Sequence, residues 1–381
     1  MAGKMIMNRR EFLIRSGTCL AGAALMPVIT SCSGEVRRQF SLQSERDFLG
    51  DFLHDDEILI LHLASLAPSG HNAQPWTVTV LEPQRFLVGS DKDRWLPAVD
   101  PDNRELLLSI GAFLENLIVA AGYYGYHVSY RIIAVNPKDT SLLDVRLEKA
   151  PRQQYPVERI TSRRTVRSSY LNRELLVEDV KFLTSDMRYV RYFPFGTREA
   201  DLIASATMEA NSKQAYRDAA QEELARWIRW SDRDAREFCT GLTPAGMEIR
   251  GIANWYVRHF YSEQTVMKES FRKTSLEMVE ERLTSGAGWI VISSDDSQIR
   301  SLLETGRRFE KMFLSVKDRM IGLYPMTQAL EEEPWRFQIA QELGIHMPVQ
   351  FIVKVGYVDS YPSPVSLRMP VKWFTYGGNN T

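Results

Sequence analysis

The chain has 381 residues, 44% apolar and 10% aromatic, enough to build a substantial core and too apolar for a disordered chain. Its 47 basic and 48 acidic side chains leave a formal net charge of −1, which excludes an electrostatic argument for nucleic acid as a partner. Three cysteines and six histidines, scattered along the chain, give no disulfide framework and no metal-ligand spacing.

The first 32 residues read as a targeting segment. Asn8-Arg9-Arg10-Glu11-Phe12-Leu13 has the layout of a twin-arginine export motif, and the apolar run over 16–30 is too short to span a bilayer. Ile29-Thr30-Ser31-Cys32 then matches a lipobox, with Cys32 as the residue that would carry a lipid anchor. The expectation is a bacterial protein exported by the twin-arginine route, periplasmic or membrane-anchored, whose mature part starts near Cys32.

One or two helices are predicted over 41–67, the second apolar nearly all round and therefore buried. Short strands follow at 76–81 and 85–88. A helix over 103–122 is carried by the period of Leu106, Ile110, Phe113, Leu114, Leu117 and Ala121. Strands at 128–135 and 142–147 precede a polar, proline-flanked stretch at 150–156, which divides a first half (33–150) from a second (151–381). The second half reads as helices at 157–167 and 177–187, a strand at 190–195 and a mostly helical insertion over about 198–280. A strand at 289–293, helices at 298–319 and 335–343 and a strand at 349–356 complete it.

The halves echo each other. Leu107-Leu108-x-x-Gly111-x-x-x-Glu115 recurs as Leu302-Leu303-x-x-Gly306-x-x-x-Glu310, at a constant offset of 195 residues. Ser69-Gly70 ahead of Trp76 is paralleled by Ser285-Gly286 ahead of Trp289.

Two strings carry candidate chemistry. Pro68-Ser69-Gly70-His71-Asn72-Ala73-Gln74-Pro75 gathers small and amide side chains in one turn, suited to lying against a planar polar heterocycle. Ser69 and Gly70 allow close backbone approach, while Asn72 and Gln74 can donate and accept at a ring edge. In Ile160-Thr161-Ser162-Arg163-Arg164-Thr165-Val166-Arg167, Arg163 and Arg167 fall on one face of the predicted helix, where they would clamp a dianion. Together the two strings resemble the hallmark segments of the nitroreductase family of FMN-dependent oxidoreductases. With the duplication, the export signal and the insertion, the chain looks most like the Acg-type branch over about residues 45–375.

That resemblance implies an α+β, nitroreductase-like sandwich duplicated within one chain, a monomeric pseudo-dimer where classical members form intertwined homodimers. It implies one FMN at the interface of the halves, because each hallmark string is complete only once. Ser69, Gly70, Asn72 and Gln74 would meet the ring. Arg163, Arg164, Thr165, Arg167 and Arg368, the last in Ser366-Leu367-Arg368-Met369-Pro370, would hold the phosphate. The loop after the long helix, which contains Pro325, Met326 and Thr327, would bring backbone amides to the redox edge, and Gly322 would cap that helix. The implied activity is two-electron transfer to a small acceptor such as a nitroaromatic or a quinone, with no catalytic side chain and no metal. Outside the cytoplasm the electron donor would be a membrane component or a partner protein. A covered single site also suits a protein that sequesters FMN with little or no turnover.

Overall fold

Residues 40–377 are described by a computed structural model; the arginine pair of the export motif and Cys32 lie outside them. Ser41 accepts from the Ser44 backbone and opens α1 (Leu42–Leu49). In α2 (Asp55–Ala64) the Glu57 carboxylate accepts from the His54 N–H at 2.8 Å, and the apolar residues that follow are buried. β1 (Trp76–Glu82) alternates buried and half-buried residues, as a one-sided strand should, and pairs antiparallel with β2 (Arg85–Ser90). α3 (Arg104–Tyr124) ends at Gly125, whose left-handed φ of 86° turns its N–H back to the Ala121 and Gly122 carbonyls. β3 (Tyr126–Ile132) and β4 (Ser141–Lys149) follow.

The second half begins with α4 (Glu158–Ser162), α5 (Val177–Leu183) and β5 (Val190–Pro194). The insertion comprises α6 (Arg198–Tyr216), α7 (Asp218–Trp227), α8 (Asp232–Phe238), α9 (Gly251–Phe260), α10 (Glu263–Val266) and α11 (Glu269–Leu283). β6 (Gly288–Ser293), α12 (Ile299–Phe313), β7 (Ile321–Pro325), α13 (Trp335–Glu342), β8 (Val349–Tyr357) and β9 (Thr375–Gly377) complete the chain. β6 is buried on both faces: Ile290 and Ile292 pack with Phe309 and Phe313 of α12, Trp289 and Val291 with Ala200, Ile203 and Ile339 of α6 and α13.

The two sheets run β3-β4-β2-β1-β9 and β5-β6-β8-β7. Read from β7, the second order repeats β3-β4-β2-β1 of the first, β9 having no counterpart, with α3 and α12 in equivalent places in the chain between the second and third strands of each set. The fold is therefore α+β and internally duplicated. The two long helices cross with matching contacts. A Cβ on Gly111 would lie 2.1 Å from the Leu303 carbonyl oxygen, and one on Gly306 would lie 2.0 Å from that of Leu108. Each glycine meets the residue equivalent to the other's neighbour, as self-complementary two-fold contacts require. α3 is long and apolar enough to cross a membrane, but its surface is buried against α2, β3 and α12.

Four sequence expectations need correcting. The Ser-Gly…Trp echo joins non-equivalent strands, since Trp76 lies on β1 and Trp289 on β6, the counterpart of β2. The helix expected over 157–167 stops at Ser162: Arg163 takes ψ 134°, and the Val166 N–H donates to Leu323 of β7. The β-branched pair Thr165-Val166 suits that extended course, with Val166 buried against Tyr170 and Val358. Arg163 and Arg167 therefore share no helix face. The expected loop around Gly322 is strand β7, and the turn before it is made by Met320 at φ 55°, so Gly322 caps nothing.

Candidate functional site

The turn after α2 and the string after α4 open onto one cavity of about 410 Å³, within the span common for small-molecule sites. One wall is the turn at 68–72. His71, Asn72 and Gln74 hold φ values of 48°, 53° and 54°, which non-glycine residues keep only when their surroundings fix them. Asn72 does much of the fixing. Its Nδ2 donates to the Gly241 and Leu367 carbonyls at 3.0 and 3.1 Å, and its Oδ1 accepts from Arg368 at 2.7 Å. Ser69 Oγ accepts from the Gln74 backbone. Gly70 tolerates no larger residue easily: a Cβ would sit 3.0 Å from Leu96 and 3.4 Å from Glu105 Oε2.

Arg163, Arg164, Thr165, Arg167 and Arg368 also line the cavity. Arg163 and Arg368 converge on the end of α2, both donating to the Leu66 carbonyl, with Arg368 also reaching Ala67. Arg163 Nε lies 3.1 Å from Glu310 Oε1, an ion-pair distance, although the two atoms are misaligned for a hydrogen bond. Both side chains are buried, and burial pushes the Glu310 carboxyl up to about 7 against the pull of Arg163. Arg164 pairs with Glu248 at 3.5 Å. Arg167 donates to the Gly246 carbonyl, and its guanidinium lies 5.0 Å from the Tyr324 ring centre. Gly246 and Glu248 belong to the insertion, which with Met247, Met278 and Arg282 covers this side of the cavity.

Pro325 and Thr327 reach the cavity from the end of β7. Gln74 and Met326 are not among the lining residues. The Gln74 amide is buried, donating to the Cys239 and Leu367 carbonyls and accepting from the Met369 N–H, so it ties the C-terminal segment to the turn. Met326 is buried in the core, and its N–H donates to the Ile352 carbonyl. That amide is engaged in the sheet rather than offered to a ligand.

The cavity also holds ionisable groups that the sequence reading passed over. Thr327 Oγ1 lies 3.0 Å from Glu105 Oε1 and 3.1 Å from Glu331 Oε1. Burial first, and then the Glu105 charge, raises the Glu331 carboxyl well above the usual range. Asp100, behind Glu105, is raised to about 6 for the same two reasons. Burial lowers the His71 imidazole to about 4, with Glu105 opposing. In sequence Glu331 stands in a Glu331-Glu332-Glu333 run that reads as a solvated face, and Glu105 as an ordinary acid at a helix N-terminus.

No family model matches the chain. The "Probable NAD(P)H nitroreductase PigM" of Serratia sp. is 24% identical over 319 residues, 76% of this chain and 85% of the relative. The "Putative NAD(P)H nitroreductase acg" of Mycobacterium tuberculosis is 24% identical over 321 residues, 82% of this chain and 92% of the relative. This chain is similar to nitroreductases along most of its length. The relatives align along most of their own length, so the family likeness spans both halves and not one alone. A solved nitroreductase-like protein from Bacillus cereus overlays 58% of this chain and 94% of its own, with 12% identity and a TM-score of 0.32. Family members usually bind flavin.

Proposed function

We propose that the cavity holds one FMN between the two halves and that two electrons pass through it to a small acceptor, a quinone or a nitroaromatic. The observation that carries this reading is the convergence of four arginines and Thr165 with the 68–72 turn around a single cavity. Cations and a glycine-containing turn on the walls of one cavity match a ligand with a phosphate and a flat ring. Arg163, Arg164, Thr165, Arg167 and Arg368 would hold the phosphate, and Ser69, Gly70, Asn72, Pro325 and Thr327 would border the ring. The cofactor supplies the electron transfer when bound. The chain's own residues bind and orient it, and the insertion limits the access of water.

Export through the arginine motif and anchoring at Cys32 remain part of the proposal, and with them a membrane or protein electron donor. The relatives are named for NAD(P)H; this chain, exported, would do without it. The cover that Gly246 and Glu248 form over the arginine string favours a second reading, storage of FMN with little turnover. Stopped-flow mixing of chemically reduced, FMN-loaded protein with a small quinone separates the two. Rapid reoxidation is expected; a flavin that stays reduced with every small acceptor would favour storage.

A further inference from the structure

Thr327 has a single hydroxyl proton and can donate to only one carboxylate. Its oxygen nevertheless lies at hydrogen-bond distance from Glu105 and Glu331 at once. The arrangement closes without facing lone pairs only when one carboxyl carries a proton of its own. The surroundings fit that count. Arg104 donates to Glu105 Oε1 at 2.9 Å, so the one cation in direct contact with the pair among the described residues sits on Glu105. Besides the Thr327 hydroxyl, Glu331 accepts from the neutral amide of Gln214, from α6, and forms no ion pair among the described residues. Asp100 and His71 are the other titratable groups near Glu105. Asp100, raised only to about 6, adds negative charge at neutral pH, and His71, lowered to about 4, is neutral. Neither favours an ionised Glu331, and of the nearby charges only Arg104 opposes its protonation.

The pair also sits where a proton is useful. Glu105 Oε2 lies beside Gly70 in the turn, and Thr327 belongs to the segment after β7, so the carboxyls stand between the two stretches proposed to border the ring. We infer that Glu105 and Glu331 hold one shared proton at neutral pH and that Glu331 is the acid that completes reduction of the acceptor. The inference rests on the FMN reading for its second half only. A quinone that has gained a hydride, two electrons and one proton, is a hydroquinone anion. Glu331 gives its carboxyl proton to the anionic oxygen, yielding neutral hydroquinone and a second carboxylate, and solvent returns one proton to the pair.

Infrared spectroscopy of the flavin-free protein tests the shared proton. The wild-type minus Glu331→Gln difference spectrum at neutral pH should show the carbonyl stretch of a buried carboxylic acid, shifting in deuterium oxide. The glutamine keeps shape and hydrogen bonding, and the subtraction removes the contribution of the buried Glu310 carboxyl, which both proteins share. Glu331→Asp should retain the band. In FMN-loaded protein, Glu331→Gln should slow quinone-driven reoxidation by ~10²-fold or more, the scale of general-acid catalysis, with FMN binding unchanged. Glu331→Asp should recover part of the rate. A difference spectrum without the band overturns the shared proton, and a Glu331→Gln variant that reoxidises at the wild-type rate overturns the acid role. Absence of flavin binding would instead defeat the FMN reading, while the infrared result stands on its own.

Discussion

Arg163 and Arg167 are four residues apart and line the same cavity, yet they are held in different ways. Arg163 is buried against an equally buried Glu310, so removing it strands a charge in the core. Arg163→Ala should therefore lose ~3–5 kcal/mol of stability in denaturant unfolding without flavin. The Arg167 side chain is held by a carbonyl of the insertion and by an aromatic face, while the bond to the buried Glu248 carboxylate comes from its backbone N–H and survives substitution. Arg167→Ala should weaken FMN by ~1.5–3 kcal/mol, as for a bond to a charged group, and riboflavin far less. Equal losses for both ligands would remove Arg167 from the phosphate. Glu310 adds a pH signature. Its folded value, about 7, stands above the ordinary carboxyl value of 4.5, so the folded state keeps a proton that the unfolded state releases. Stability from this group is full below about 4.5 and falls as pH rises toward 7. Glu310→Gln should therefore gain on wild type as pH rises through that window. A gap independent of pH would mean that Glu310 is ionised throughout.

At the scale of elements, α3 and α12 approach closely enough that neither central glycine can take a side chain without displacing the partner's carbonyl. Gly111→Ala and Gly306→Ala should each destabilise by ~1–3 kcal/mol, the usual cost of overpacking, and by similar amounts if the crossing is two-fold. Thermal unfolding of the two variants reads this directly; one neutral substitution would break the symmetry. This crossing was legible in the sequence because a repeated leucine-glycine-glutamate spacing reports a contact that both helices need. The arginine string was legible as chemistry but not as conformation. A spacing of four suits a helix face, and only the long-range bond from Val166 to β7 shows that the segment is extended. β7 was hidden because Gly322 and Pro325 carry loop signals, whereas its pairing with β8 depends on a strand far along the chain. The Glu105–Glu331 approach joins residues from the two halves, and no local pattern announces it.

Across the whole molecule the halves are tied by more than the helix crossing. β9 leaves the second half and pairs parallel with β1, while Val371 and Phe374 are buried in the first core. Arg368 and Leu367, on the way to that strand, complete the 68–72 turn. An exchange of terminal segments that two subunits would otherwise make thus occurs within one chain, and light scattering of the full-length, unprocessed protein should report the mass of a single chain, 43.8 kDa. A stable dimer would show that another surface is used for assembly. The central claim is that the two halves build one FMN site between them. Its most direct test is the amount of flavin released by denaturing protein that has been reconstituted with excess FMN and freed of unbound ligand. The ratio expected is one FMN per chain; a ratio approaching two, or no retained flavin, would contradict the account.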